Sequence, residues 1–193
     1  MRIDEVAPEA ICQDVTVQLD EDGIGTTSAD LVDNGSNDAC GIATVVLSQT
    51  DFDCDHVGPV DVVLTVTDNN NNVSTCAAVV TVEDNIAPVA ICQDVTVALD
   101  ENGTASILGS AVDNGSTDAC GIAAFDLSRD YFDCSNVGPV GVELTVTDNN
   151  NNSSSCDAVI TVEDNLAPVM VCPNIVINLD PGLCGQIVDY GIQ

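Results

Sequence analysis

The chain has no tryptophan and no lysine, one histidine, two basic residues (Arg2 and Arg129) and only 3% aromatics in 193 residues. Without large rings, a hydrophobic core has to be assembled from Val, Ile, Leu and Ala, and thin cores of that kind usually need staples. Against the two basic residues stand 32 Asp and Glu, for a formal charge of −30. Such a balance excludes polyanion binding, because nothing could neutralise the phosphates, and it disfavours anionic membrane surfaces. Catalytic chemistry is equally sparse. His56 has no nucleophile patterned with it, there is no glycine-rich phosphate loop, and the abundant carboxylates would need a cleft to act as a glycosidase. No apolar run reaches membrane-spanning length. The opening "MRIDEVAPEA" has no apolar signal core, which reads Met1 as the start of a fragment.

Apolar residues nonetheless make up 45% of the chain, and they alternate with polar ones, which argues against disorder. A charge this large repels itself in a compact state, and bound cations would relieve it. The ten cysteines include no Cys-x-x-Cys spacing. Together with Asn- and Asp-rich turns they read as disulfides formed in an oxidising, extracellular or cell-surface setting.

An internal repeat organises the chain. "APEAICQDVTVQLDEDG" at 7–23 returns as "APVAICQDVTVALDENG" at 87–103, and more weakly as "APVMVCPNIVINLDPG" at 167–182. The offset is 80 residues, and 52 of 80 positions are identical between 5–84 and 85–164. The expected organisation is therefore one repeat at 5–84, a second at 85–164, and the first strands of a third at 165–193. Within a repeat, Ile11, Val15, Val17 and Leu19 alternate as a half-buried first strand. "DEDG" at 20–23 is a turn, a second strand is expected near 26–32, and "DNGSNDAC" at 33–40 is a loop. Strands follow at 41–48, 60–68 and 74–82, with an irregular stretch at 51–59 and an "NNNN" turn at 69–72. About seven short strands of this kind predict an all-β chain of tandem immunoglobulin-like β-sandwiches.

The segments "AICQDVTV", "DNGSNDACGI" and "VGPVDVVLTVTDNNNNVSTCAAVVTV" resemble the hyalin repeat (HYR) family, in the form found in tandem in large bacterial surface proteins, notably of Bacteroidota. That resemblance implies an immunoglobulin-like sandwich serving adhesion or cell-surface architecture. The turn departs from the common pattern by having "DNNNN" where a glycine is usual. Four cysteines per repeat allow three connectivities. In the implied sandwich the first and last strands are neighbours, which pairs Cys12 with Cys76 and Cys92 with Cys156, as peripheral staples. Cys40 and Cys54 flank the third strand and are expected to pair, as are Cys120 and Cys134.

In such a sandwich the N-terminus, the 33–40 loop and the last hairpin share one end, and the C-terminus leaves at the other. Each linker then meets the loop end of the following repeat. The expected oxygen donors at the central junction are Glu83, Asp84 and Asn85, with Asp113, Asn114, Ser116, Asp118 and Asp148. The equivalent set for the first repeat is Asp4, Glu5, Asp33, Asn34, Asp38 and Asp68, and for the third Glu163, Asp164 and Asn165. Hard oxygen donors in this number suit Ca²⁺, and the layout resembles cadherin junctions. Each motif alone has a plainer reading, since Asn-Gly suits a tight turn.

Two functions follow. The first is a calcium-stiffened extracellular rod or filament segment, whose partners are neighbouring repeats or copies of itself. The alternative is an adhesin module gripping a surface glycan or a protein receptor through Phe52, Phe125, Tyr131 and Phe132. Neither involves nucleic acid, membrane insertion or enzymatic activity. The third copy, with Ile175, Ile177 and Leu179 on one face and Cys172 and Cys184 unmatched, is expected either to continue or to be completed by strand addition from another subunit.

Overall fold

The computed structural model describes residues 4–169. The strand expected at Ile175–Leu179, and Cys172 and Cys184, lie outside them. The first repeat is built from β1 (Val15–Gln18), β2 (Ile24–Thr26), the one-turn helix α1 (Ala29–Val32), β3 (Ile42–Leu47), β4 (Asp51–Asp53), β5 (Gly58–Asp68) and β6 (Val73–Glu83). A 3₁₀ turn at Cys54–His56 joins β4 to β5. The second repeat reproduces this as β7 (Val95–Ala98), β8 (Thr104–Ser106), α2 (Gly109–Val112), β9 (Ile122–Leu127), β10 (Tyr131–Asp133), β11 (Gly138–Asp148) and β12 (Ser153–Glu163). Both are all-β, immunoglobulin-like sandwiches of a four-stranded sheet, ordered β1-β6-β5-β3 or β7-β12-β11-β9, and a two-stranded sheet, β2-β4 or β8-β10.

The alternation seen in the sequence becomes the core. Val62, Leu64 and Val66 of β5 lie on the same inner face of the sheet as Ala78, Val80 and Val82 of β6, all buried, because residues two apart on a strand share a face. β1 pairs in parallel with β6, Val15 opposite Val80, which turns Val17 and Leu19 inward. Phe52 on β4 and Val32 on α1 close the other side of the same core. Phe132 and Val112 do so in the second repeat.

Four expectations need correction. Each repeat has six strands, because the stretch expected as a strand near 26–32 is β2 followed by α1. The Cys12–Cys76 and Cys92–Cys156 bonds are present but are not peripheral. Cys76 lies in phase with Ala78 and Val80, opposite Leu64, and both cysteines pack on the core. Cys40 is not bonded to Cys54, nor Cys120 to Cys134; the bond present is Cys54–Cys120, from one repeat to the next. The reason is β3, whose six residues span roughly 20 Å and carry Cys40 and Cys54 to opposite ends, whereas a disulfide needs Cα atoms about 4.4–6.8 Å apart. Finally, Phe52 and Phe132 are core residues, leaving Tyr131 as the exposed aromatic of the four once considered for binding.

The turn without glycine is also explained. Asn71 and Asn151 have φ of 70° and 72°, the left-handed region that Asn tolerates better than other side chains.

One pair of positions distinguishes the two cores. Where the first repeat has Ala29 and Val45, the second has Gly109 and Phe125. A Cβ on Gly109 would run into the Phe125 backbone and sit 3.0 Å from its Cβ. Gly109→Ala is therefore expected to lower the stability of the second repeat by about 1–3 kcal/mol, the usual cost of overpacking. Adding Phe125→Val, which recreates the pair of the first repeat, should recover part of that loss. Urea unfolding of both variants checks this.

Candidate functional site at the repeat junction

The N-terminal segment, the 33–40 loop and the last hairpin do share one end. Glu9 bridges to Asn37 and Cys12 to Asp33, while Asn72 Nδ2 donates to the carbonyls of Asp4 and Val6 at 3.2 and 3.1 Å. The turn at 20–23, Cys54 and the linker occupy the opposite end. In tandem, the far end of repeat one meets the loop end of repeat two, and Cys54–Cys120 ties them with Cα atoms 5.2 Å apart. A cavity of about 560 Å³ lies there, lined by Asp20, Glu21, Asp84, Ile86, Thr117 and Asp118 among others.

Asp84 is the centre of this site. It is only 7% exposed. Its Oδ1 accepts from the Ile86 amide at 3.1 Å, and its Oδ2 is buried without a hydrogen-bond partner. A buried oxygen left so costs roughly 1–3 kcal/mol, and more when it is charged. Oxygens of Asp84 and Asp118 and the Cys120 sulfur lie within 4.8 Å of one another. Since Cys120 is in a disulfide, it offers no thiolate, and the usable donors are carboxylates. Asp118 also accepts from the Cys120 amide at 2.8 Å, which fixes the loop.

The other expected donors are committed to local turns. Asp113 accepts from the amides of Ser116 and Gly115. Burial works against its ionised form, but these bonds outweigh it and hold the carboxyl below its ordinary value. Asn114 is held through its backbone, its amide donating to the Ile91 carbonyl. Asp148 accepts from the amides of Asn150 and Asn152 and from Asn152 Nδ2, each at 2.8 Å. It reaches the linker indirectly, because Asn152 Nδ2 also donates to the Asp84 carbonyl at 3.0 Å. Glu83 accepts from Gln18 Nε2 at 2.6 Å and Asn85 Nδ2 at 3.1 Å, bonds that lower its pKa. Both residues are thus turned towards β1.

At the loop end of the first repeat, Asp4, Asp38 and Cys40 form the same cluster. There the Asp4 carboxylate, by hydrogen bond and by charge, pushes the Cys40 thiol up. Glu5 is exposed, Asp33 accepts from the Ser36 amide, the Asn34 amide donates to Ile11, and Asp68 caps its own hairpin. In the segment after β12, Glu163 accepts from Asn165 and Asp164 from the Leu166 amide. Asp20 and Glu21, which line the central cavity, were read in the sequence only as a turn. The signal for them was their place at the same end of the repeat as the linker.

No protein-family model matches the chain, and no curated protein does. Among solved structures, extracellular cadherin domains 1–4 of protocadherin gamma B7 match at 18% identity over 82% of this chain and 51% of that one, with a TM-score of 0.37. The first two domains of human protocadherin-24 match at 15% identity, over 84% of this chain and 100% of that one (TM-score 0.43). Drosophila N-cadherin domains 1–4 match at 12% over 83% of this chain and 50% of that one (TM-score 0.44). The chain spans about half the length of the first and third of these. Scores this low do not define a shared detailed architecture.

Two outcomes follow. Replacing Cys54 and Cys120 together by Ser should leave both repeats folded, each keeping its internal disulfide, while the linker at 83–88 becomes open to proteolysis; mapping the cleavage sites checks this. For the hairpin, burial disfavours the ionised Asp68, but bonds from the Asn72 side chain and the amides of Asn72, Asn70 and Asn71 outweigh it and lower its pKa. A carboxylate lowered in this way stabilises above its unfolded-state value and loses that contribution as pH falls through the lower folded-state value. The stability difference between the protein and Asp68→Ala should accordingly stay constant near neutrality and shrink only below the ordinary aspartate range. Urea unfolding across acid pH measures it.

Proposed function

We propose that this chain is a segment of an extracellular structural rod, in which a divalent cation of the calcium type sits between consecutive repeats and a disulfide locks them together. The observation that carries this reading is the Asp84 carboxylate, buried at the junction with one oxygen unpartnered, beside Asp118 and across a cavity from Asp20 and Glu21. Ca²⁺ binds six to eight oxygens at flexible geometry, and water fills the positions that protein leaves. Asp84 and Asp118 would hold the ion directly, with Asp20 and Glu21 adding charge from the preceding repeat. The cation would neutralise part of a chain of charge −30 and would stiffen the linker, because its ligands come from both sides of it.

An extracellular setting is supported by the three disulfides among the described residues, which persist where the environment is oxidising. No helix among them is long and apolar enough to cross a membrane. The adhesin reading finds less support, because two of its four aromatic candidates are core residues.

Calorimetric titration of the chelator-treated protein with Ca²⁺ tests the proposal. Binding is expected at millimolar or lower concentration, weakened about tenfold or more (~1.4 kcal/mol) by Asp84→Asn and by Asp118→Asn, and little changed by Asp113→Asn. No uptake, or equal loss from all three variants, would sink it.

A further inference from the structure

Two cysteines, Cys40 and Cys134, have no partner among the described residues, and both are exposed. Their positions are not arbitrary. Cys134 stands 80 residues after Cys54, and Cys40 stands 80 before Cys120, and Cys54–Cys120 is the bond that joins the repeats. Each unpaired thiol is thus one half of a bond already formed once in this molecule.

The surroundings of each half are also reproduced. At the bonded junction, Cys54 Sγ lies 3.9 Å from the Gly23 carbonyl. At the equivalent place in the second repeat, Cys134 Sγ lies 3.6 Å from the Gly103 carbonyl. Gly23 and Gly103 have φ of +72° and +75°, and a Cβ on either would approach the sulfur at 2.7 and 2.6 Å. This turn therefore has to be glycine, both for its backbone and to leave room for the sulfur. The other half is equally alike. The Cys120 amide donates to Asp118 at 2.8 Å, and the Cys40 amide to Asp38 at 2.7 Å. Asn149 and Asn69 donate to the carbonyls of Cys120 and Cys40 at 2.7 and 2.9 Å. The loop thus holds one shape whether its cysteine is bonded or not. Around it, Asp4, Val6, Ala7, Asp38 and Ala39 line a cavity of about 270 Å³, as their counterparts do at the central junction.

We infer that Cys134 and Cys40 are the two halves of a head-to-tail disulfide of the kind that Cys54 and Cys120 form, and that the partner of each is the matching cysteine of another repeat of this kind; a second copy of the chain presents both ends and serves as the probe. As the S–S bond forms, two thiols give up two protons and two electrons. A small-molecule disulfide such as oxidised glutathione accepts the electrons and departs as two thiols. One end differs from the other, so the contact is heterologous, a kind that builds rings or open filaments according to the rotation between units. The inference does not depend on a bound cation.

The test uses the full chain with Cys40→Ser or Cys134→Ser, incubated singly and as a mixture with oxidised glutathione and a chelator. Sodium chloride at about 1 M cuts the Debye length to ~3 Å and screens the repulsion between copies. The mixture should yield a disulfide dimer containing one of each variant, in about tenfold excess over either homodimer, the factor that ~1.4 kcal/mol of matched contacts produces. Peptide mapping should join Cys134 to Cys40. Circular dichroism confirms that both variants remain folded. Homodimers in comparable yield, no dimer at all, or a Cys134 mapped to Cys172 or Cys184 of its own chain would overturn the inference.

Discussion

The covalent tie between Cys54 and Cys120 is the constraint on which the junction depends. It presses the turn at 20–23 of one repeat against the loop ending at Cys120 of the next, so closely that a Cβ on Gly23 would meet the Ala119 side chain at 3.2 Å. The linker has to pass through the space between them. Asp84 is consequently buried.

Stability within each repeat has a different origin. A core of valines with one buried phenylalanine is small, and the disulfide between first and last strands sits on its inner face, opposite Leu64 or Leu144. By the chain-entropy account, closing a loop of this length contributes about 4 kcal/mol, a large share of what a domain of this size normally retains. The carboxylates that remain inside, Asp68 and Asp148, are each 1% exposed and are satisfied by amides of their own hairpins. Buried charge is tolerated there because hydrogen bonds replace the water it gives up.

Most of the fold was legible in the sequence, because period-two alternation in β5 and β6 leaves one face to bury. The shared end formed by the linker, the 33–40 loop and the last hairpin followed from sandwich connectivity. Where the reading went wrong, a local cue was allowed to outweigh that connectivity. Cys40 and Cys54 are close in sequence, but a strand runs between them, and strands carry their ends apart. α1 was missed because its one turn is too short to display a helical period, and a single inward residue, Val32, fits either structure. Of the donor set, Asp113 and Asp148 were correctly located on their loops. Their oxygens are spent on neighbouring amides, a competition that composition and spacing do not reveal. Asp20 and Glu21 form a turn that is complete in its own sequence, so nothing local marks their position facing the next repeat.

Translational repetition has a further consequence for chemistry. A residue that serves a junction from one side has to recur on every repeat, so each unit carries both halves of the joint. The Asp4, Asp38 and Cys40 cluster is the loop-side half in the first repeat, and Asp100, Glu101, Gly103 and Cys134 are the turn-side half in the second. Neither half is complete alone: one supplies acidic loop ligands and a thiol, the other an acidic turn, a glycine without a Cβ and a second thiol. Rigidity in such an array is therefore made between domains rather than inside them. The disulfide at that joint persists until it is reduced, so the order of the two repeats is fixed covalently as well as by the linker.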